Sequence, residues 1–181
     1  MIKPKIICIL IYIIITNSIY SQNFTDGFIS YISIGRNIGF SFNVPENWVA
    51  MENRVDNNIY SLFMKNNIYK DPIIVMSIHD LNDATDEALR ECIDIILKFK
   101  SNITQVEQNY LIEGNICTYD VNLISVYFSR HVFFRYRHYG FHIELTSPVY
   151  QRVSNETIII LNELVNSINF AEVIDKRGNR M

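Results

Sequence analysis

The sequence predicts an α+β protein, in which an antiparallel β-sheet of about six to seven strands is covered by two main helices. Half of the 181 residues (49%) are hydrophobic, which suits a single domain with a sizeable core. Segments with the two-residue period of a strand outnumber those with a helical period, and short polar turns separate them. The strongest strand pattern is Val126–Leu145, which is rich in aromatic and β-branched residues and contains a single glycine.

This segment is predicted to form a hairpin that turns at Tyr139 and Gly140. Side chains alternate between the two faces of a strand, so Phe134 and Leu145 then lie opposite each other on an apolar face. The other face is charged, and its expected cross-strand pairs are Arg135 with Glu144 and Arg137 with His142. A slip of one residue would push Glu144 into the apolar layer, which favours this register.

The N-terminus has the pattern of a cleaved secretory signal. Lys3 and Lys5 precede the uncharged apolar run Ile6–Ile15, and a polar break leads to Ser21, after which we expect cleavage. A membrane anchor is the alternative, but the run is shorter than the roughly 20 residues that a spanning helix needs. Removal of the two lysines changes the formal charge from −3 to −5 (−3 minus 2), which argues against a nucleic-acid binder.

Four strands are predicted before the first helix of the folded part. Phe28–Ile34 is a weak strand pattern, whereas Gly39–Val44 alternates well between apolar and polar residues. Pro45 ends that strand because proline donates no ladder hydrogen bond. Ile59–Met64 and Ile73–Ile78 follow as two strands joined by a polar turn.

The residues from Leu81 to Lys100 change to a helical period. Asn82 and Asp83 offer oxygens that can cap the helix. The predicted buried stripe consists of Ala88, Cys92, Ile95, Ile96 and Phe99. Gln105–Ile112 and Ile116–Leu123 then form a hairpin that turns around Gly114.

A last helix is predicted after Ser154, which can cap it. Its apolar side chains recur on one helical face and are Ile158, Leu161, Leu164, Val165 and Ile168. Of the cysteines outside the signal, Cys92 falls on a helix and Cys117 on a strand, and a disulfide between them stays open.

Three segments resemble the PsbP-like family, which includes the PsbP and DcrB types of exported α+β domain. Gly39–Trp48 is similar to the opening strand and its "P-x-x-W" end, Tyr139–Pro148 to the last strand, and Ile159–Phe170 to the final helix and terminal "S-I-x-F". The resemblance implies a PsbP-like α/β/α sandwich with helices on both sides of the sheet. The expected organisation is a signal peptide at 1–21, a lead segment at 22–38, the domain at 39–170 and a flexible tail at 171–181.

Histidine and carboxylate side chains on the predicted charged face form the first candidate site. His131, His142 and Glu144 are of the residue types that bind metal ions. Arg135 and Arg137 share that face, and their positive charges oppose a cation. The favoured interpretation is therefore a polar sheet face with cross-strand ion pairs, each worth about 0.2–1 kcal/mol, and no metal or cofactor.

The same face concentrates positive charge in an acidic chain, which is typical of a surface that steers a partner. The candidate partner-binding residues are Arg135, Arg137, His131 and His142. Tyr and Phe, which are abundant in the hairpin, are also enriched at protein interfaces.

No motif of an enzyme is found in the sequence. G-x-S-x-G, G-x-G-x-x-G, a phosphate-binding loop and H-E-x-x-H do not occur. Most members of the PsbP-like family bind another protein rather than convert a substrate, and the resemblance implies the same here. The expectation is an exported, non-catalytic protein-binding module, periplasmic or extracellular, that is not an integral membrane protein once the signal is removed. The alternative is a small-molecule or lipid carrier with a pocket between sheet and helix, and a hydrolase or metalloenzyme is a third, less favoured class.

Overall fold

The structure is a computed structural model that describes residues 28–33, 38–45, 47–53, 57–64, 72–123, 127–148 and 154–172. The predicted signal peptide, its cleavage site and residues 173–181 of the predicted tail lie outside these ranges. The described elements are β1 (Phe28–Ser33), β2 (Ile38–Asn43), β3 (Trp48–Glu52), β4 (Asn58–Met64), β5 (Ile73–Asp80), α1 (Asp86–Leu97), β6 (Ile103–Val106), β7 (Cys117–Leu123), β8 (Tyr127–Tyr136), β9 (Tyr139–Pro148), α2 (Asn155–Asn166) and β10 (Asn169–Glu172).

Two antiparallel sheets form the described fold. Seven strands make the main sheet in the order β3-β4-β5-β9-β8-β7-β6, and β1-β2-β10 form a small second sheet. One face of the main sheet packs on α1 through Phe133, Leu89 and Ile93, whereas the other packs on α2 and the small sheet. The predicted α+β sandwich with helices on both faces is confirmed, and the small sheet supplies much of one covering layer.

Four phenylalanines join the two sheets. Phe134 and Phe141 of the main sheet stack with their ring centroids 5.0 Å apart. Phe40 of β2 meets Phe141 edge to face at 5.3 Å, and Phe170 of β10 meets it at 5.2 Å. Because the other three rings all contact Phe141, this aromatic cluster fixes how the small sheet lies on the main one.

The turn of the central hairpin lies two residues earlier than predicted. Arg137 and His138 form it, and Arg137 adopts a positive φ of 56°. Gly140 stands inside β9, where a Cβ atom would approach Leu81 Cδ2 to 3.0 Å, so glycine serves close packing rather than the turn. The observed pairs are Arg135 with Gly140, Phe133 with His142 and His131 with Glu144. The predicted pairs of Arg135 with Glu144 and Arg137 with His142 are therefore wrong, although Phe134 keeps its predicted face.

Helix α1 is rotated relative to the prediction. It begins after Thr85, whose Oγ1 accepts the N–H of Ala88 at 3.2 Å, and not after Asn82 or Asp83. Ile95 and Phe99, which were assigned to the buried stripe, are 72% and 91% exposed. Ala88 is buried as predicted, and the other buried side chains of the helix are Leu89, Ile93 and Leu97. Cys92 lies beside this stripe and, like Cys117, is a free thiol.

The predicted hairpin around Gly114 is replaced by a short strand and a long connection. β6 pairs Ile103 with Val121, and residues 107–116 leave the sheet. The connection is held by α2, because Tyr110 Oη donates to Asn162 Oδ1 at 3.1 Å and the Leu111 N–H donates to Asn166 Oδ1 at 2.7 Å. The predicted cap of α2 is confirmed, since Ser154 Oγ accepts the N–H of Thr157.

Candidate functional site

A cluster of buried polar side chains lies on the face of the main sheet that carries α1. His131 of β8 is fully buried and His142 of β9 is 6% exposed. Glu144, two residues further along β9, points to the same face and is partly exposed. Lys100, which follows α1, reaches the cluster with its Nζ atom 3.3 Å from Glu144 Oε1. We call His131, His142, Glu144 and Lys100 the histidine cluster.

Hydrogen bonds and ring stacking fix both imidazoles. His131 Nδ1 and His142 Nε2 are 2.9 Å apart, and His131 Nε2 is 2.8 Å from Ser129 Oγ. The ring of Phe133 stacks on His142 at 4.5 Å between centroids and 8° between planes. These contacts leave the histidine rings little freedom to rotate.

Burial determines the charge of the two histidines. Burial, followed by the positive charge of Lys100, lowers the pKa of His131 to about 3. Burial likewise lowers the pKa of His142 to about 3, with the neighbouring His131 as the next cause and Glu144 opposing it. Both imidazoles are therefore neutral at neutral pH, and each has one ring nitrogen with a lone pair.

The structure separates the four residues that the sequence grouped as a partner-binding surface. His131 and His142 come together but are buried, so in this conformation they contact no outside molecule. Arg135 Nη2 pairs with Asp86 Oδ1 of α1 at 3.2 Å. Arg137 lies in the turn with its guanidinium 5.4 Å from the ring centroid of Tyr136. The expectation of an open charged face is corrected, because α1 and the residues after it cover this part of the sheet.

The sequence did not identify Lys100 or Ser129 as members of this region. Ser129 is two residues before His131 on the same strand, so strand alternation alone could have placed it beside that histidine. Lys100 gave no such signal, because 44 residues separate it from Glu144 and only the packing of α1 brings it to the sheet.

A second feature is an apolar surface at the C-terminal end of α1. Ile95 lies in the last turn of α1, and the strongly exposed Phe99 follows two residues after the helix ends. Ile103, also exposed, begins the edge strand β6 four residues later. We call Ile95, Phe99 and Ile103 the α1–β6 surface.

An open groove of about 400 Å³ lies between the end of β2 and the end of α2. The residues that line it are Asn43, Val44, Pro45, Glu163, Leu164, Asn166 and Ser167. It lies between a strand of the small sheet and a helix, which is the kind of location that the carrier alternative names. Neither helix in the described ranges is long and apolar enough to cross a membrane.

Comparison with known proteins gives structural likeness only, since the chain matches no protein-family model and no curated protein sequence. A crystal structure from Bacteroides thetaiotaomicron matches with 16% identity and a TM-score of 0.51, over 82% of this chain and 50% of that one. The chain thus spans half the length of that protein. The Ran-binding protein Mog1p of Saccharomyces cerevisiae matches with 10% identity and a TM-score of 0.53, over 80% of this chain and 96% of Mog1p.

Cyanobacterial PsbP from Synechocystis also matches, with 10% identity and a TM-score of 0.48, over 84% of this chain and 97% of that protein. Identities this low show a shared fold and nothing about activity. The matches to Mog1p and to the Bacteroides protein nevertheless agree with the sheet and helix arrangement described above. The chain therefore shares the α+β fold of these two structures, which is the arrangement that the sequence resemblance implies.

Proposed function

We propose that this protein is an exported, non-catalytic module that binds another protein through the α1–β6 surface. The observation that carries the proposal is the exposure of Ile95 at the end of α1 and of Phe99 directly after it. A helix that already buries Leu89 and Ile93 gains nothing for its own fold from two more large apolar side chains in water. Adjacent exposed apolar side chains, unlike single ones, are typical of interaction sites.

The edge strand next to this surface suits a protein partner. Within the described ranges, β6 pairs only with β7, and three of its four residues are exposed. An extended segment of a partner can add to such an edge by backbone hydrogen bonds and pack an apolar side chain against Phe99. That Mog1p, which has the same fold, is a Ran-binding protein supports the functional class, though not the identity of the partner.

The groove at the end of α2 supports a second candidate function, the carriage of a small molecule. Its volume of about 400 Å³ lies in the range of small-molecule sites. Such sites are mostly apolar and enclosed, whereas this groove is open and lined by polar residues such as Asn43 and Glu163. The α1–β6 surface is therefore the better-supported site.

The proposal predicts that Phe99→Asp weakens partner binding without affecting the fold. The protein is immobilised, exposed to the envelope fraction of its native host, and the retained molecules are identified by mass spectrometry. The affinity of the purified partner should fall by about 30-fold, as for a typical hot-spot residue. Leu111→Asp is the matched control, because Leu111 is 82% exposed and its N–H bonds to Asn166 of α2, on the other side of the main sheet, and it should bind as the wild type does.

Other outcomes would move or overturn the proposal. If Phe99→Asp kept the partner and Arg137→Glu lost it, the contact would lie at the β8–β9 turn, where the sequence pattern places it. Arg137 is preferable to Arg135 for this test, because Arg135→Glu would also set two carboxylates against each other at Asp86. Retention of a small molecule and no protein would establish the carrier function instead.

Export makes a separate prediction. Protein recovered from the envelope or the medium of expressing cells should begin at Gln22, because the signal pattern places cleavage after Ser21. N-terminal sequencing of that material measures the start directly. Recovery of the whole protein in the cytoplasm with Met1 intact would contradict export, and would leave the α1–β6 surface untouched as a binding site.

A further inference from the structure

We propose that His131, His142 and Glu144 form a binding site for a divalent transition-metal ion of the Zn²⁺ class. Each residue offers one ligand atom, and the three atoms lie within 4.8 Å of one another. His142 and Glu144 are two residues apart on β9, and His131 stands directly opposite Glu144 on β8. The pairing of the two strands therefore brings the three side chains together on one face of the sheet.

The distances are close to those of a metal site. Zn–N bonds of 2.0–2.1 Å in a tetrahedral arrangement place two ligand nitrogens about 3.3 Å apart. His131 Nδ1 and His142 Nε2 are 2.9 Å apart, so a small opening of this hydrogen bond suffices. The carboxylate of Glu144 lies 3.7 Å from Nε2, the other ring nitrogen of His131, and must turn toward Nδ1 and His142 to complete a tetrahedral set. Its carboxylate is able to do so, because it is partly exposed and its hydrogen-bond partners are the side chains of Lys100 and Thr146.

The surroundings of the histidines match those of metal ligands. A ligating histidine commonly uses its second ring nitrogen to donate to an oxygen, which fixes the tautomer. Ser129 Oγ stands 2.8 Å from His131 Nε2 and can accept that hydrogen bond, which leaves the Nδ1 lone pair directed at His142. Both imidazoles are neutral, as metal binding requires. Two imidazoles and a carboxylate form a set of ligands suited to Zn²⁺ and Co²⁺.

The arginines that argued against a cation in the sequence are directed elsewhere. Arg135 pairs with Asp86, and the guanidinium of Arg137 lies over Tyr136. The competing cation is Lys100, whose ammonium group pairs with Glu144. A metal and the lysine would therefore exclude each other at this carboxylate, and Lys100 can withdraw because its long side chain is partly exposed.

Because Lys100 competes with the ion, its removal should increase the metal affinity, which a purely structural cluster would not show. The purified protein is stripped with a chelator and titrated with Co²⁺, whose visible absorption reports a tetrahedral site, and then with Zn²⁺ in competition. One Co²⁺ per chain should bind to the wild type. The affinity should fall by about 10- to 100-fold in His142→Gln and Glu144→Gln. It should rise by about tenfold in Lys100→Gln, because a positive charge beside the ion is removed.

His138→Gln is the matched control, since His138 is an exposed histidine of the β8–β9 turn and should leave the titration unchanged. Circular dichroism and the melting temperature of each variant check the fold. If His142→Gln fails to fold, Glu144→Gln and Lys100→Gln decide, because both change the more exposed side of the cluster. Equal Co²⁺ binding in the wild type and Glu144→Gln, weaker binding in Lys100→Gln, or no binding by the wild type would each overturn the proposal.

Discussion

Replacement of Phe134 by alanine is expected to lower the free energy of unfolding by about 4 kcal/mol. The ring is only 1% exposed, stacks on Phe141 at 5.0 Å, and meets the edge of Phe170 at 6.3 Å. Its removal leaves a cavity between two sheets that rigid aromatic rings cannot readily fill. Urea denaturation of the wild type and the variant under the same conditions measures the difference.

Phe99→Ala is the matched control for this experiment. It deletes the same atoms from a side chain that is almost wholly in water, so the free energy of unfolding should change by no more than about 0.5 kcal/mol. Equal losses in the two variants would contradict the assignment of Phe134 to the core and of Phe99 to the surface. The pair also separates stability from binding, because only Phe99 belongs to the proposed contact surface.

The faces of the central hairpin could be predicted from the sequence, but its register could not. The observed turn differs from the predicted one by two residues, and an even shift keeps every side chain on its face. Phe134 is therefore buried in either register, whereas its partner across the strands changes from Leu145 to Phe141. The turn was assigned to Gly140 from residue type, but close packing against Leu81 requires glycine there and Arg137 accepts the positive φ.

The buried face of α1 could not be predicted from the sequence, for a different reason. Its apolar residues fill more than half of the helix surface, so two overlapping stripes satisfy the helical period equally well. Packing against Phe133 selected the stripe that contains Leu89 and Ile93. The rejected stripe contains Ile95 and Phe99, which explains why the surplus apolar residues of this helix are the ones that lie in water.

The histidine cluster was only half predictable. Strand alternation placed His142 and Glu144 on one face, and that prediction holds because it depends on local geometry alone. The position of α1 determines that this face is covered and that Lys100 supplies its cation. That position is a property of the whole fold. The small edge strand β3 was missed too, since its five residues, Trp48–Glu52, form a pattern too short to distinguish from a loop.

Acid is expected to destabilise the metal-free protein by about 3 kcal/mol between pH 7 and pH 5, because of His131 and His142. Their folded-state pKa is lowered to about 3, whereas an unfolded chain has the ordinary value of 6.5. Between these values the unfolded state binds more protons than the folded state. The stabilisation is therefore complete above about pH 6.5 and falls as the pH falls toward 3. Carboxylates contribute little in this window, because they titrate mostly below pH 5.

Urea denaturation at pH 7, 6 and 5 in the presence of a chelator measures this slope. The groups that face the pair act in both directions: Lys100 and His79 favour the neutral form of His142, and Glu144 opposes them. His142→Gln should roughly halve the slope, because one of the two buried titrating groups is removed. If the free energy of unfolding did not change from pH 7 to pH 5, the two imidazoles would take up protons as readily in the folded protein as in the unfolded chain. The cluster would then be open to water.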